Sequence, residues 1–270
     1  NFKPETLPNS LQPFLEKISA TILPTVSMQL TPDDRLTVWQ SKVGGKPYLP
    51  LDVAYPLDSH GNPLALLAQF NFTEIPALPN FPDKGILQFY IAADDSFGMN
   101  YDNKQKQSDF RILYFEHVID DIQQLKQDFS DIEIEEDDLD YLPFDGQYAV
   151  EFKLEQQPIS IDDHGFNIGT GENDFYVAYS ETLSAMGHRL GGYPYFTQSD
   201  PRDYNKNIMD YILLFQVDTD DSKGVNIMWG DCGVANFFIH PEDLKKRDFS
   251  KVLYSYRIFH IAAFLKSFGK

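Results

Sequence analysis

The sequence predicts a mainly β chain built from two tandem similar halves related by a pseudo-two-fold axis. The first observation is a repeat. Lys42-Val43-Gly44-Gly45-Lys46-Pro47-Tyr48 returns as Arg189-Leu190-Gly191-Gly192-Tyr193-Pro194-Tyr195, and Leu66-Leu67-Ala68-Gln69 returns as Leu213-Leu214-Phe215-Gln216, both at an offset of 147. Gly85-Ile86-Leu87-Gln88-Phe89-Tyr90-Ile91 returns as Gly233-Val234-Ala235-Asn236-Phe237-Phe238-Ile239 at 148, so the order of blocks is kept with one residue of slip. The second observation is the abundance of Phe (22) and Tyr (15), whose flat rings favour a pleated, half-buried surface. The third is a series of short apolar runs bounded by Gly, Pro and Asp, which is how strands are punctuated.

Taken in chain order, Leu11, Phe14, Leu15, Ile18 and Ile22 recur at helical steps behind Ser10, a capping residue, with Pro13 in the tolerant first turn. Pro24 ends that helix, and Val26 to Leu30 and Leu36 to Gln40 read as extended. Gly44-Gly45 permits a tight turn, after which Pro47 and Pro50 hold Tyr48-Leu49 as a short exposed strand or loop. Leu66 to Phe72, Gly85 to Ala92 and Phe110 to Glu116 read as strands, and Ile119 to Phe129 as a short helix. Residues 131–140 carry seven acids in ten, a density that self-repels and predicts a solvated loop or helix start inside an acidic insert over about 119–145.

Tyr148 to Leu154 alternates like an exposed strand, and Gly165 to Asp174 reads as a loop. The second repeat supplies strands at Tyr211 to Asp218 and Val234 to His240. Asp248 to Tyr254 echoes Asp109 to Phe115. Ile258 to Phe268 reads as a closing helix. No stretch between the repeats (about 40–95 and 187–243) has linker composition. Each unit alone would expose sheet edges, so residues 1–270 are expected to form one domain in which each half covers the other's apolar face.

Net charge is −19. Such a surface repels phosphate backbones and anionic lipid, so neither nucleic acid nor membrane is the expected partner, whereas a basic protein is. One cysteine, Cys232, excludes an internal disulfide and suits a reducing cytoplasm, the expected compartment. No apolar run approaches the roughly 18 residues that span a bilayer.

The blocks Ser41-Lys42-Val43-Gly44-Gly45-Lys46-Pro47-Tyr48-Leu49-Pro50, Leu66 to Asn71, Trp229-Gly230-Asp231-Cys232-Gly233 and Asn236 to Ile239 resemble the bacterial YwqG-like family. The resemblance implies a roll-like β architecture with short helices. It implies no activity, and by context it hints at toxin–immunity loci.

Reaction motifs are sparse. Cys232 lacks a base at workable spacing and reads as a small buried residue beside a turn. The six histidines (60, 117, 164, 188, 240, 260) show no metal-ligand spacing, and no cofactor is expected. Asp218 to Gly224 fails the calcium-loop pattern, because its Gly comes one place late and Trp229 stands where Glu is needed, so it reads as a polar hairpin turn. No phosphate-binding glycine loop or nucleophile elbow occurs.

The paired polar residues hold more interest. Gln69 and Gln216 interrupt apolar strands at one repeat position. They either tie their strands to the Gly-Gly segments or, with Lys42, Arg189, Arg202, Trp229 and Asp231, line a ligand cleft between the halves. The functional expectations are a non-enzymatic binding protein for a basic partner, of toxin-immunity type in its sharpest version, or a small-molecule-binding protein or hydrolase using that cleft.

Overall fold

The computed structural model describes residues 2–169, 171–203 and 205–258. Among them are ten strands: β1 (Leu23–Pro32), β2 (Lys42–Gly44), β3 (Ala65–Asn71), β4 (Ile86–Ile91), β5 (Phe110–Phe115), β6 (Gln147–Gln157), β7 (His188–Gly191), β8 (Ile212–Asp218), β9 (Val234–Ile239) and β10 (Leu253–Arg257). Four short α-helices accompany them: α1 (Leu15–Ser19), α2 (Glu136–Leu139), α3 (Asn173–Thr182) and α4 (Pro241–Lys246). All ten strands join one antiparallel sheet in the order β10-β9-β8-β7-β1-β6-β2-β3-β4-β5. Residues 259–270, on which the predicted closing helix falls, lie outside the described residues.

The order shows how the halves lock. β2 to β5 and β7 to β10 are sequential meanders forming two wings. Between them β1 and β6 pair along their length, from Leu23 opposite Gln157 to Pro32 opposite Tyr148. β1 also borders β7, and β6 borders β2. Each half therefore lends its leading strand to the other's wing. Both β3 and β8 carry a register shift at the same repeat position, Leu66/Ala68 and Leu213/Phe215.

The wings curl until their inner faces meet. Phe70 and Phe89 of one wing pack on Phe215 and Phe237 of the other, with ring centroids 4.8 Å (Phe70–Phe215) and 4.9 Å (Phe89–Phe237) apart. The edge strands also converge, with Phe110 5.3 Å from Tyr254. The residues before β5 close the seam. The Tyr254 amide donates to the Lys104 carbonyl, and Gln107 reaches the Phe249 carbonyl. These contacts cover an edge that would otherwise offer unpaired backbone groups. Both faces of the wings are covered, so β4 and β9 are buried at every position instead of alternating, while β6 is fully buried only at Tyr148 and Gln157.

Several sequence expectations are corrected. Leu36 to Gln40 forms turns, because its carbonyls accept side-chain hydrogen bonds: Thr37 from Lys42, Val38 and Gln40 from Gln69. Tyr48 and Leu49 are in a loop but buried. The predicted N-terminal helix is a 3-10 turn (Gln12–Phe14) followed by one short α-turn, α1. Ile119 to Phe129 keeps only a 3-10 turn at Ile122–Gln124. The segment after Gly165 ends in α3, whose Phe175 and Tyr179 pack on Leu11 and Ile18 in a satellite core. The polar stretch after Asp218 does join an antiparallel pair, β8 and β9, though as a long loop pinned by an Asp220–Ile227 bridge. The 248–254 echo is three residues out of phase, since Tyr254 opposes Phe237 where Ile112 opposes Phe89.

Candidate functional site

Lys42 and Gln69 stand opposite one another on β2 and β3, and Arg189 and Gln216 on β7 and β8. The two amides are spent inside the fold. Gln69 Oε1 accepts from the Tyr48 amide (2.7 Å) and from Gln88 Nε2 (2.8 Å), and its Nε2 donates to the Val38 (2.7 Å) and Gln40 (2.9 Å) carbonyls. Gln216 repeats the pattern with the Tyr195 amide, Asn236 Nδ2 and the Ala185 and Gly187 carbonyls. Each amide thus clips its own half's loops to the outer face of its wing. One difference stands out. Tyr90 donates its hydroxyl to Gln88 Oε1, but Phe238 occupies the matching place, and Asn236 Oδ1 is left without a donor.

The Gly-Gly turns serve these clips. Gly45 and Gly192 have φ of +75° and +71°, and a Cβ there would strike the Gln147 and Gln157 side-chain oxygens.

Lys42 is 1 % exposed, and its ammonium donates to the Thr37 (2.6 Å) and Lys46 (3.1 Å) carbonyls. Burial pulls its pKa down to about 8, opposed by Glu74. An unfolded lysine titrates near 10.4, so between about pH 8 and 10 the unfolded chain holds a proton that the folded chain has released. Stability therefore rises with pH through this window. The Lys42 share of the gain is on the order of 1–2 kcal/mol from pH 7.5 to 9.5. Urea unfolding at the two pH values should show this gain, reduced in Lys42→Met. Equal gains in both chains would refute the assignment.

Arg202 sits in a buried charge cluster. Its guanidinium donates to Asp200 (Nε–Oδ1 3.0 Å, Nη2–Oδ2 2.6 Å), Asp163 Oδ2 (2.7 Å) and the Tyr211 carbonyl (2.9 Å), and lies over the Phe238 ring at 4.7 Å. Burial would lower its pKa, but the two aspartates outweigh burial and raise it. Asp200 Oδ2 also accepts from the His164 amide, so the cluster clamps two loops together. Trp229 is fully buried beside Phe97 and Tyr256, its indole nitrogen without a partner. Asp231 and Cys232 are exposed on the turn before β9, which corrects the expectation of a buried thiol. His188, whose pairing the sequence did not reveal, accepts the Asp218 amide at Nδ1, and its Nε2 lies 3.0 Å from Asp220, whose carboxyl it holds well below the usual range.

Besides a hollow of about 520 Å³ beside Lys42 and Lys46, two others offer room for a ligand. One, of about 350 Å³, lies between the halves, with Leu78 and Phe81 from the first and Tyr193, Tyr211 and Leu213 from the second. Of the predicted site residues only Arg202 reaches it. Lys42 and Arg189 line separate cavities elsewhere. The other, of about 580 Å³, lies against the acidic insert. Phe129, Ile132, Ile134, Leu142 and Phe144 give it apolar walls, and Asp128, Glu133, Asp145 and one cation, Lys46, line it too, the ammonium 5.9 Å from the Phe129 ring centroid. Here the insert alternates, with Ile132 and Ile134 partly covered while Asp131, Glu133 and Glu135 are exposed. Among the described residues no cluster of His, Cys, Asp and Glu is arranged to hold a metal, and no helix is long and apolar enough to cross a membrane.

Residues 41–257 match the model of a family described as a domain of unknown function, DUF1963, and the chain belongs to that family. The match takes in β2 to β10 and leaves β1 outside. No curated protein matches the chain.

Proposed function

We propose that this chain is a non-enzymatic binding protein whose partner is a basic protein, docked on the acidic insert. The supporting observation is the hollow of about 580 Å³, with apolar walls and three carboxylates against one lysine, on a chain of net charge −19. A lysine or arginine side chain suits it, since the aliphatic stem covers apolar wall and the charged head meets carboxylate. The exposed acids at 131–140 steer the encounter and raise its on-rate more than its final affinity. The resemblance to the YwqG-like family supports the sharper form, an immunity-type partner of a basic toxin met in the cytoplasm.

Affinity capture at low salt tests it. The unaltered chain should retain a basic protein that crosslinks to residues 131–140. Glu133→Lys/Glu135→Lys/Asp137→Lys should lose it, and the charge-matched Asp102→Lys/Asp203→Lys/Glu181→Lys should keep it. Equal loss in both variants, or no capture by the unaltered chain, overturns the reading. A small-molecule site or hydrolase in the cleft of about 350 Å³ is the second reading, favoured by aromatic walls from both halves.

A further inference from the structure

We propose that Arg189 and the cavity beside it bind a small oxyanion, a carboxylate or a phosphate group. This site shares no lining residue with the acidic hollow.

Arg189 is 7 % exposed. Among the described residues its guanidinium makes one hydrogen bond, from Nη2 to the Met186 carbonyl (2.6 Å), while Nε is buried without a partner. Glu155 and Asp218 act on it electrostatically without forming an ion pair, and both are committed elsewhere. Glu155 pairs with Lys153 at 2.7 Å, and Asp218 accepts from the Gly187 and Thr219 amides. Burial pulls the Arg189 pKa down only to about 10, so the cation persists at pH 7. Planar donors left over on a buried guanidinium match the paired oxygens of a carboxylate or phosphate.

The cavity of about 160 Å³ supplies the rest. Lys3, Thr182 and Ser184 line it with Arg189, giving a second cation and two hydroxyls; the Glu155 carboxylate lines it too, paired with Lys153, and the Gln157 amide is spent on Tyr193. Its size admits a single carboxylate or phosphate group and excludes a drug-sized molecule, which needs roughly 300 Å³ or more. The repeat supplies an internal control. Lys42, at the matching position, has its ammonium met by two carbonyls of its own loop, against the single carbonyl that meets Arg189. The second half has kept the buried cation and dropped the partners that satisfy it in the first.

The probes are inorganic phosphate and acetate, titrated at pH 7.5 with ionic strength held constant by sodium chloride. The side-chain Nε–H resonance of Arg189 should shift saturably with at least one of them, and the melting temperature should rise in parallel. Arg189→Met should abolish the saturable rise, Lys42→Met should keep it, and Arg189→Lys should weaken it about tenfold or more. Arg189→Lys also stands in should the methionine variant not fold. Phosphate acting alone assigns a dianion site, and acetate acting as strongly assigns a carboxylate site. No saturable response to either probe, or a response unchanged by loss of the guanidinium, overturns the proposal.

Discussion

Arg202→Met should lower stability at pH 7 by about 3–5 kcal/mol, because it leaves two buried carboxylates facing each other with no cation between them. Asp163 and Asp200 are 9 % and 4 % exposed, and both spend an oxygen on the guanidinium. The variant also frees the Tyr211 carbonyl and removes the cation from the Phe238 ring. The deficit is read by urea unfolding at pH 7. Arg202→Met/Asp163→Asn/Asp200→Asn, which removes the charges together, should recover much of the loss. A single variant within about 1 kcal/mol of the parent, or a triple variant no more stable than the single one, contradicts this account of the cluster.

The cluster also marks where sequence reading stops. Arg202 was legible as a candidate only because it is a cation near the second repeat. Asp163 falls between the strand read as ending at Leu154 and the loop read from Gly165, where nothing in the local pattern announces a buried acid. The strands were far more legible: blocks at 42–48, 66–69 and 85–91 land on β2, β3 and β4, and those at 189–195, 213–216 and 233–239 on β7, β8 and β9. Local periodicity finds strands but not their neighbours, so nothing in Val26 to Leu30 announces that β1 pairs with both β6 and β7. Leu36 to Gln40 was misread for a related reason. Its β-favouring residues are overruled by distant side chains that claim its carbonyls. Both glutamines were visible as polar interruptions at one repeat position, whereas their hydrogen-bond partners depend on loop geometry that no spacing records.

Those glutamines set the second large effect. Gln69→Leu strands the Tyr48 amide and the Val38 and Gln40 carbonyls at once, and leaves Gln88 Nε2 with the Tyr48 carbonyl as its remaining partner. Each buried polar group left unmatched costs roughly 1–3 kcal/mol, and relaxation spares some of them, so a loss of about 3 kcal/mol or more is expected. The damage is local to one wing, yet the exchange of β1 and β6 between halves predicts that it is felt everywhere. A wing cannot melt without releasing a strand that the other wing needs. The two tryptophans can test this, for Trp39 reports the first half and Trp229 the second. Trp229→Phe leaves Trp39 as the probe and removes an indole nitrogen that has no partner. Trp39→Phe leaves Trp229 and costs one hydrogen bond to the Ile119 carbonyl. In each background Gln69→Leu should shift the fluorescence midpoint in urea by the same free energy, with an unchanged slope, as a single cooperative transition requires. If Trp39 reports early melting while Trp229 unfolds where it did before, the halves are separable, and the interlock through the central strands does not govern stability.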